Sequence, residues 1–350
     1  MSAKTDYGFG ARLLHHFALT SPLVAEMSFQ IDQMLYPSSP EEAGEGRHVF
    51  VSALARAGTT ALMRLFYETG EFRSLTYREM PFPLAPRLWR KISSSSARKG
   101  ELSERAHEDG ILVDFDSPEA LEEVFWRVFS GKSYIHPDRL APMKANPETI
   151  EAFRKYITGL LDASGAKRYL SKNNNNILRL SSLLTAFPDA LILIPFRDPL
   201  QQALSLYRQH THFLEVHRED SFSRTYMKWL VHHEFGEDHR RFDVDDGEPS
   251  YTPDRPDYWL EQWSRVYRYL LRRARGAGER VFFVDYEGLC DEPERVWKSL
   301  AHHTGLKEDL PPGFVLRKAP AREAAGFDRG LTEEAYIIHK ELKEYFRDTL

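Results

Sequence analysis

Apolar residues recur along the chain in two rhythms, and the change of rhythm divides it. Between residues 11 and 36, Leu13, Leu14, Phe17, Leu23, Met27, Ile31, Met34 and Leu35 fall at helical spacing, interrupted at Ser21-Pro22. That pattern predicts one or two amphipathic helices followed by a linker, Pro37–Gly46, so that residues 1–46 form an N-terminal helical arm. The arm is expected either to pack on the core or to make a homodimer contact. From residue 47 the rhythm shortens. Short apolar runs at Val49–Leu54, Phe72–Tyr77, Arg168–Ser171, Leu191–Phe196 and Val281–Val284 read as buried strands. Helical patterns lie between them, at Thr59–Glu68, Ile177–Phe187 and Leu200–His210. This alternation predicts an α/β fold over residues 47–350, a single domain with a mostly parallel central sheet flanked by helices.

Two stretches break the alternation. Residues 80–165 hold the run Ser93–Ser96, expected as a loop, and a helical pattern at Glu119–Phe129; residues 211–256 are polar and rich in His, Arg, Asp and Pro. Both are expected to be helical or loop cap insertions over the sheet, where an acceptor would be bound. The tracts Ser93–Ser96 and Asn173–Asn176 are the low-complexity segments, and no internal repeat is present.

In open parallel sheets, ligands bind beyond the carboxyl ends of the strands. After the first proposed strand come Arg56, Gly58, Thr59 and Thr60, and after the second Arg78 and Glu79. The third ends at Lys172, the fourth at Arg197, and the fifth at Asp285 and Tyr286. A rim supplied with cations from several strands suits a multiply charged anion. Within Ala55-Arg56-Ala57-Gly58-Thr59-Thr60, glycine allows a tight turn and close backbone approach, and the next helix offers free N–H groups to a phosphate. It is not the loop of nucleoside triphosphatases, which carries a lysine where this chain has Thr59. In Arg197-Asp198-Pro199, Asp198 is a good N-cap and Pro199 a good first helical residue. Ser205 then lies two turns on, on the face of the cap, where it can grip one phosphate together with Arg197.

Composition narrows the reading only at its edges. The 350 residues are 42% hydrophobic and 28% charged, as expected of a globular protein, and the net charge of -5 argues against a nucleic-acid partner. A single cysteine, Cys290, forbids an intrachain disulfide, and no stretch approaches ~20 consecutive apolar residues. The first ten residues lack the layout of a secretory signal, so the expected location is the cytoplasm. The histidines His210, His212, His217, His232, His233 and His239 match no standard zinc spacing, and no metal is expected.

Taken together, these residues resemble the sulfotransferases that use 3′-phosphoadenosine 5′-phosphosulfate (PAPS), many bacterial members included. Arg56, Ala57, Gly58, Thr59 and Thr60 match the family's 5′-phosphosulfate loop, and Arg197 with Ser205 its 3′-phosphate element. Phe187-Pro188-Asp189-Ala190 before the fourth strand looks like many bacterial members, and Tyr286-Glu287-Gly288-Leu289 with Asp291-Glu292-Pro293 resembles a family segment near the C-terminus. The resemblance covers roughly residues 47–310, discontinuously. It implies a P-loop-like fold, PAPS as co-substrate, adenosine 3′,5′-bisphosphate as product and no metal, because fixed cations neutralise the leaving phosphate. Arg56 and Lys172 would do so. Cytosolic members follow that lysine with a threonine and a base histidine, whereas this chain has Lys172-Asn173-Asn174. Carbohydrate sulfotransferases place a glutamate after the second strand, so Glu79 is the expected base; His107 is the next candidate and His136 follows. Arg317-Lys318 is a weak match to a second 3′-phosphate contact, and Tyr251, Tyr258, Trp259 and Trp263 either stack on a ligand or fill core. A saccharide hydroxyl is the favoured acceptor, with lipids, small alcohols and phenols open. A kinase with an altered phosphate loop and a non-catalytic nucleotide-binding protein are the competing readings.

Overall fold

A computed structural model describes residues 9–39, 46–93, 103–104, 112–113, 120–245, 247–312, 314–316, 318, 323 and 326–348. Each of the five runs contains a strand: β1 (Val49–Val51), β2 (Phe72–Arg73), β3 (Arg168–Lys172), β4 (Leu191–Phe196) and β5 (Val281–Asp285), with β1 and β2 shorter than expected and Tyr77 opening a 3₁₀ turn instead. Their order is β2-β3-β1-β4-β5, and every neighbouring pair is parallel. An unbroken apolar run such as β4, buried at every position, is what a sheet covered on both faces requires. β1 lies between β3 and β4, with Val51 opposite both Lys172 and Leu193. The chain leaves β1 for one side of the sheet and later reaches β4 on the other, so β1 stands at the switch point where a crevice opens.

Helix α3 (Thr59–Tyr67) follows β1 and lies over the sheet, its Phe66 edge-on to Trp297 of α12 (Pro293–Thr304) at 5.2 Å. Helices α8 (Pro199–Glu219), α10 (Pro256–Arg275) and α13 (Arg329–Arg347) pack together beside β4 and β5. Tyr267 of α10 donates its hydroxyl hydrogen to the Pro195 carbonyl of β4 at 2.8 Å.

The arm folds as helices α1 (Phe9–Thr20) and α2 (Pro22–Leu35), separated at Ser21-Pro22. α2 packs on α4 (Pro86–Ser93), α5 (Glu123–Tyr134) and α6 (Pro147–Asp162), the helices of the 80–165 stretch. Asp32 anchors it: its carboxylate accepts from Arg87 Nε at 2.9 Å and from the Leu88 amide at 2.8 Å, with both partners of the ion pair buried. The face that periodicity marks as apolar is not the one that packs. Ala25, Phe29 and Asp32 are buried, while Leu13, Phe17, Leu23, Met27 and Met34 are more than half exposed. Residues 40–45 of the linker and Ser94–Ser96 lie outside the described residues.

The sequence differs from the structure most over residues 211–256. The helix expected to stop at His210 continues to Glu219, and α9 (Ser221–Trp229) follows. The inward face of α8 explains the shortfall: it carries Gln202, Gln209, His210 and His217 between Ala203, Leu206 and Phe213, so helical burial runs on while hydrophobicity does not. Leu140 and Phe242 pair in a short parallel ladder that ties the two insertions together.

Candidate active site

The loop after β1 turns through two left-handed residues, Arg56 at φ 66° and Gly58 at φ 90°, before α3 begins at Thr59. Such a turn aims successive backbone N–H groups into one concavity. Gly58 is needed twice over: a Cβ there would lie 2.3 Å from the Tyr286 ring, and the backbone region disfavours any side chain. Thr59 and Thr60, in the first turn of α3, are buried.

Arg197 and Ser205 meet this loop directly, although they are more than 140 residues away in sequence. The Arg56 guanidinium Nε donates to Ser205 Oγ at 3.1 Å, and Arg197 Nη1 donates to the Arg56 carbonyl at 3.2 Å. Gln202, one turn before Ser205, donates to the Ala55 carbonyl at 3.0 Å and accepts from Trp263 Nε1 at 3.0 Å. The N-terminus of α8 is capped as the sequence predicts, Asp198 accepting from the Gln201 amide at 3.0 Å. Glu287 steadies the same corner: it accepts from the Asp198 amide at 2.9 Å and lies 3.6 Å from Arg197 Nε. Burial raises the Glu287 carboxyl above its usual range. Arg197 Nε is buried and faces the Glu287 carboxylate as an ion pair, too long for a hydrogen bond.

Lys172 ends β3 opposite Val51, so it stands on the same rim as the loop. The run Asn173–Asn176 behind it is no simple tract but a buried turn whose side chains are tied down. Asn173 donates to Glu123 at 2.6 Å, Asn174 to Glu234 at 2.9 Å, and Asn175 to the Val231 carbonyl at 3.2 Å. Glu123 is fully buried with Arg179, which reaches both its oxygens at 2.8 Å, and it also takes the Tyr134 hydroxyl hydrogen. Its neighbour Glu122 accepts from Trp126 and Tyr169, each at 2.9 Å. These carboxylates brace the turn after Lys172.

Glu79 sits at the end of a single 3₁₀ turn, Tyr77–Glu79, and is buried. Its carboxylate accepts from the Thr76 amide at 2.6 Å and the Thr76 hydroxyl at 2.9 Å, and pairs with Arg73 at the end of β2. The Arg78 carbonyl accepts from Trp89. His107 and Arg317 lie outside the described residues, while Lys318 pairs with Asp291 at the surface. The His136 amide donates to the Arg139 carbonyl. Tyr258, Trp259 and Trp263 are buried in core, so they offer no stacking face.

Four of the histidines build a loop. His210 Nδ1 accepts from the Gly236 amide and His217 Nδ1 from the Glu237 amide, both at 3.2 Å. His239 Nδ1 donates to the Glu234 carbonyl at 2.8 Å, and its Nε2 accepts from the Tyr258 hydroxyl at 2.8 Å. His233 Nδ1 donates to the Asp238 carbonyl at 3.0 Å. Burial pulls His210 and His233 down to about 4 and His239 to about 3. Among the described residues no group of three or more potential ligands is placed to hold a metal ion.

Four parts of this arrangement were not assigned from sequence: Tyr286 over Gly58, Glu287 on Arg197, Arg73 on Glu79, and Glu234 on Asn174. Tyr286 and Glu287 do follow β5 at the rim, which was a usable signal. Nothing local marks the other two.

The Sulfotransferase family profile matches residues 48–246, more than half of the chain. Among solved structures, sulfotransferase STF1 from Mycobacterium tuberculosis H37Rv is similar at 17% identity and a TM-score of 0.49, over 98% of this chain and 88% of that one. STF9 from Mycobacterium avium is similar at 15% identity and a TM-score of 0.48, over 98% and 83%. A sulfotransferase from Alicyclobacillus acidocaldarius is similar at 15% identity and a TM-score of 0.40, over 86% and 92%. No curated protein matches the sequence.

Proposed function

The chain belongs to the sulfotransferase family, and on that premise we propose that it moves a sulfuryl group from PAPS to an acceptor hydroxyl, a saccharide hydroxyl being favoured. The observation that carries this reading is the direct contact between the two anion elements, Arg56 on Ser205 and Arg197 on the Arg56 carbonyl. Two phosphate sites sharing one wall suit a nucleotide phosphorylated at both ends. The left-handed turn at Arg56 and Gly58, which leads into the N-terminus of α3, is the backbone form that suits a bound anion.

In this proposal the donor supplies the sulfuryl group and a 5′-phosphate leaving group, and the chain does the rest. Ala57, Gly58, Thr59 and Thr60 hold the 5′ end with backbone N–H groups and hydroxyls; Arg197 and Ser205 hold the 3′-phosphate. Arg56 and Lys172 stabilise charge as it grows on the leaving oxygen, and such stabilisation dominates catalysis in transfers that ask little covalent chemistry of the protein. A carboxylate takes the acceptor proton. Glu79 stands where the resemblance assigns that role, yet its oxygens are engaged by Thr76 and Arg73. A kinase reading lacks the lysine that would reach β and γ phosphates, since Thr59 occupies its place.

The test is incubation with labelled PAPS and a panel of saccharide, lipid and phenolic acceptors, read by mass spectrometry. A sulfate adduct on one class is expected. Binding of adenosine 3′,5′-bisphosphate with no adduct on any class would favour a nucleotide-binding role without catalysis.

A further inference from the structure

We propose that Glu234, carried on the loop between α9 and Arg241–Phe242, is the general base that accepts the acceptor hydroxyl's proton. This rests on the sulfuryl-transfer reading above. Asn174 stands two residues beyond Lys172, and its Nδ2 donates to Glu234 Oε1 at 2.9 Å. A carboxylate only accepts, so the amide must turn its NH₂ toward Glu234 and its oxygen away. That oxygen, Asn174 Oδ1, is buried and has no hydrogen-bond partner among the described residues. Asn175 and Asn176 carry orphan side-chain oxygens of the same kind, so what singles out Asn174 is its bond to Glu234: it holds a carboxylate two residues from the rim lysine, with lone pairs left to accept a hydroxyl hydrogen.

Glu234 and Glu79 differ in what they hold. Glu79 is committed to an arginine, a backbone amide and a hydroxyl. Glu234 is half-buried, and among the described residues no lysine or arginine pairs with it. A carboxylate bound to one neutral amide keeps lone pairs for a proton.

Its loop is held firmly enough to aim it. Val231 and Gly236 bracket Glu234 in left-handed conformations, at φ 55° and 78°. The Val231 carbonyl accepts from Asn175, the Glu234 carbonyl from His239, and the Gly236 and Glu237 amides donate to His210 and His217. A Cβ on Gly236 would lie 2.4 Å from the His217 ring, so the loop fits closely against α8. The buried histidines are thus scaffolding for the carboxylate.

The step balances simply. The acceptor O–H gives its proton to Glu234, and the acceptor oxygen bonds to sulfur. The bond from sulfur to the 5′-phosphate oxygen breaks, its electron pair leaves with that phosphate beside Arg56 and Lys172, and Glu234 later passes the proton to water.

Glu234→Gln keeps an oxygen for Asn174 and removes the base. Its kcat is expected to fall roughly 10²–10⁴-fold, with the Kd for adenosine 3′,5′-bisphosphate within about twofold of wild type by calorimetry. The loss should shrink for a fluorinated analogue of the working acceptor, whose hydroxyl is more acidic and needs a base less. Wild-type kcat in Glu234→Gln, or an equal loss on both acceptors, would overturn the proposal while leaving the donor site intact. A wild-type protein that neither binds the bisphosphate nor transfers sulfuryl would instead overturn the reading beneath it.

Discussion

Gly58 shows how much of the site depends on single residues. Its φ of 90° and the Tyr286 ring 2.3 Å from a would-be Cβ leave no room for substitution. Gly58→Ala must push Tyr286 aside and strain the loop, so binding of adenosine 3′,5′-bisphosphate should weaken at least ~10-fold, read by calorimetry on protein whose circular dichroism is unchanged. Unaltered affinity would show that the turn has slack. At this scale the sequence was informative where structure is local. Gly58, Arg56, Asp198 and Ser205 could be placed because helix periodicity and cap chemistry relate neighbours. Tyr286 and Glu234 were not assigned because their partners, Gly58 and Asn174, are brought to them by tertiary folding alone.

At the scale of elements, the turn after β3 depends on buried charge. Glu123 and Arg179 are both inaccessible, and removing one leaves the other unpaired. Glu123→Ala should cost about 3–5 kcal/mol in urea unfolding, whereas Glu123→Leu with Arg179→Met should cost much less. Equal losses in the two would mean that packing, not charge, holds the turn. The loop of α8 and α9 answers to pH. His210, His233 and His239 are held neutral by burial, at about 4, 4 and 3. The unfolded chain binds their protons below about 6.5, so unfolding takes them up and acid favours it. Stability from these groups is complete above about pH 6.5 and is lost as pH falls through about 4. Melting temperature should decline over that window, and a flat profile would contradict the assignment. The same polar inward face is why α8 could not be followed past His210 from sequence. Buried histidine and glutamine are satisfied by partners that periodicity does not register.

For the whole molecule, the parallel sheet flanked by helices was legible, since buried runs alternating with helices imply one, whereas the order of its strands was not. The arm is where the helices and their packing on the core were legible and the face they bury was not. Leu23, Met27, Ile31 and Leu35 recur every four residues on α2 and, with Phe17 and Ile92, leave an exposed contiguous apolar face of the kind that marks a protein interface. We propose that a second copy of the chain covers it. Light scattering should give a dimer mass, and Leu23→Glu with Met27→Glu should give a monomer; a wild-type monomer would contradict the proposal. No described helix is long and apolar enough to cross a membrane. The central claim is that one nucleotide is gripped at both phosphates by elements that touch through Arg56, Arg197 and Ser205. Calorimetric titration with adenosine 3′,5′-bisphosphate in magnesium-free buffer tests it most directly. Tight binding is predicted, weakened by about 10–100-fold in Arg197→Ala, a loss that should vanish for adenosine 5′-phosphate, which lacks the 3′ group. An equal loss for both nucleotides, or binding only of ATP with magnesium, would contradict it.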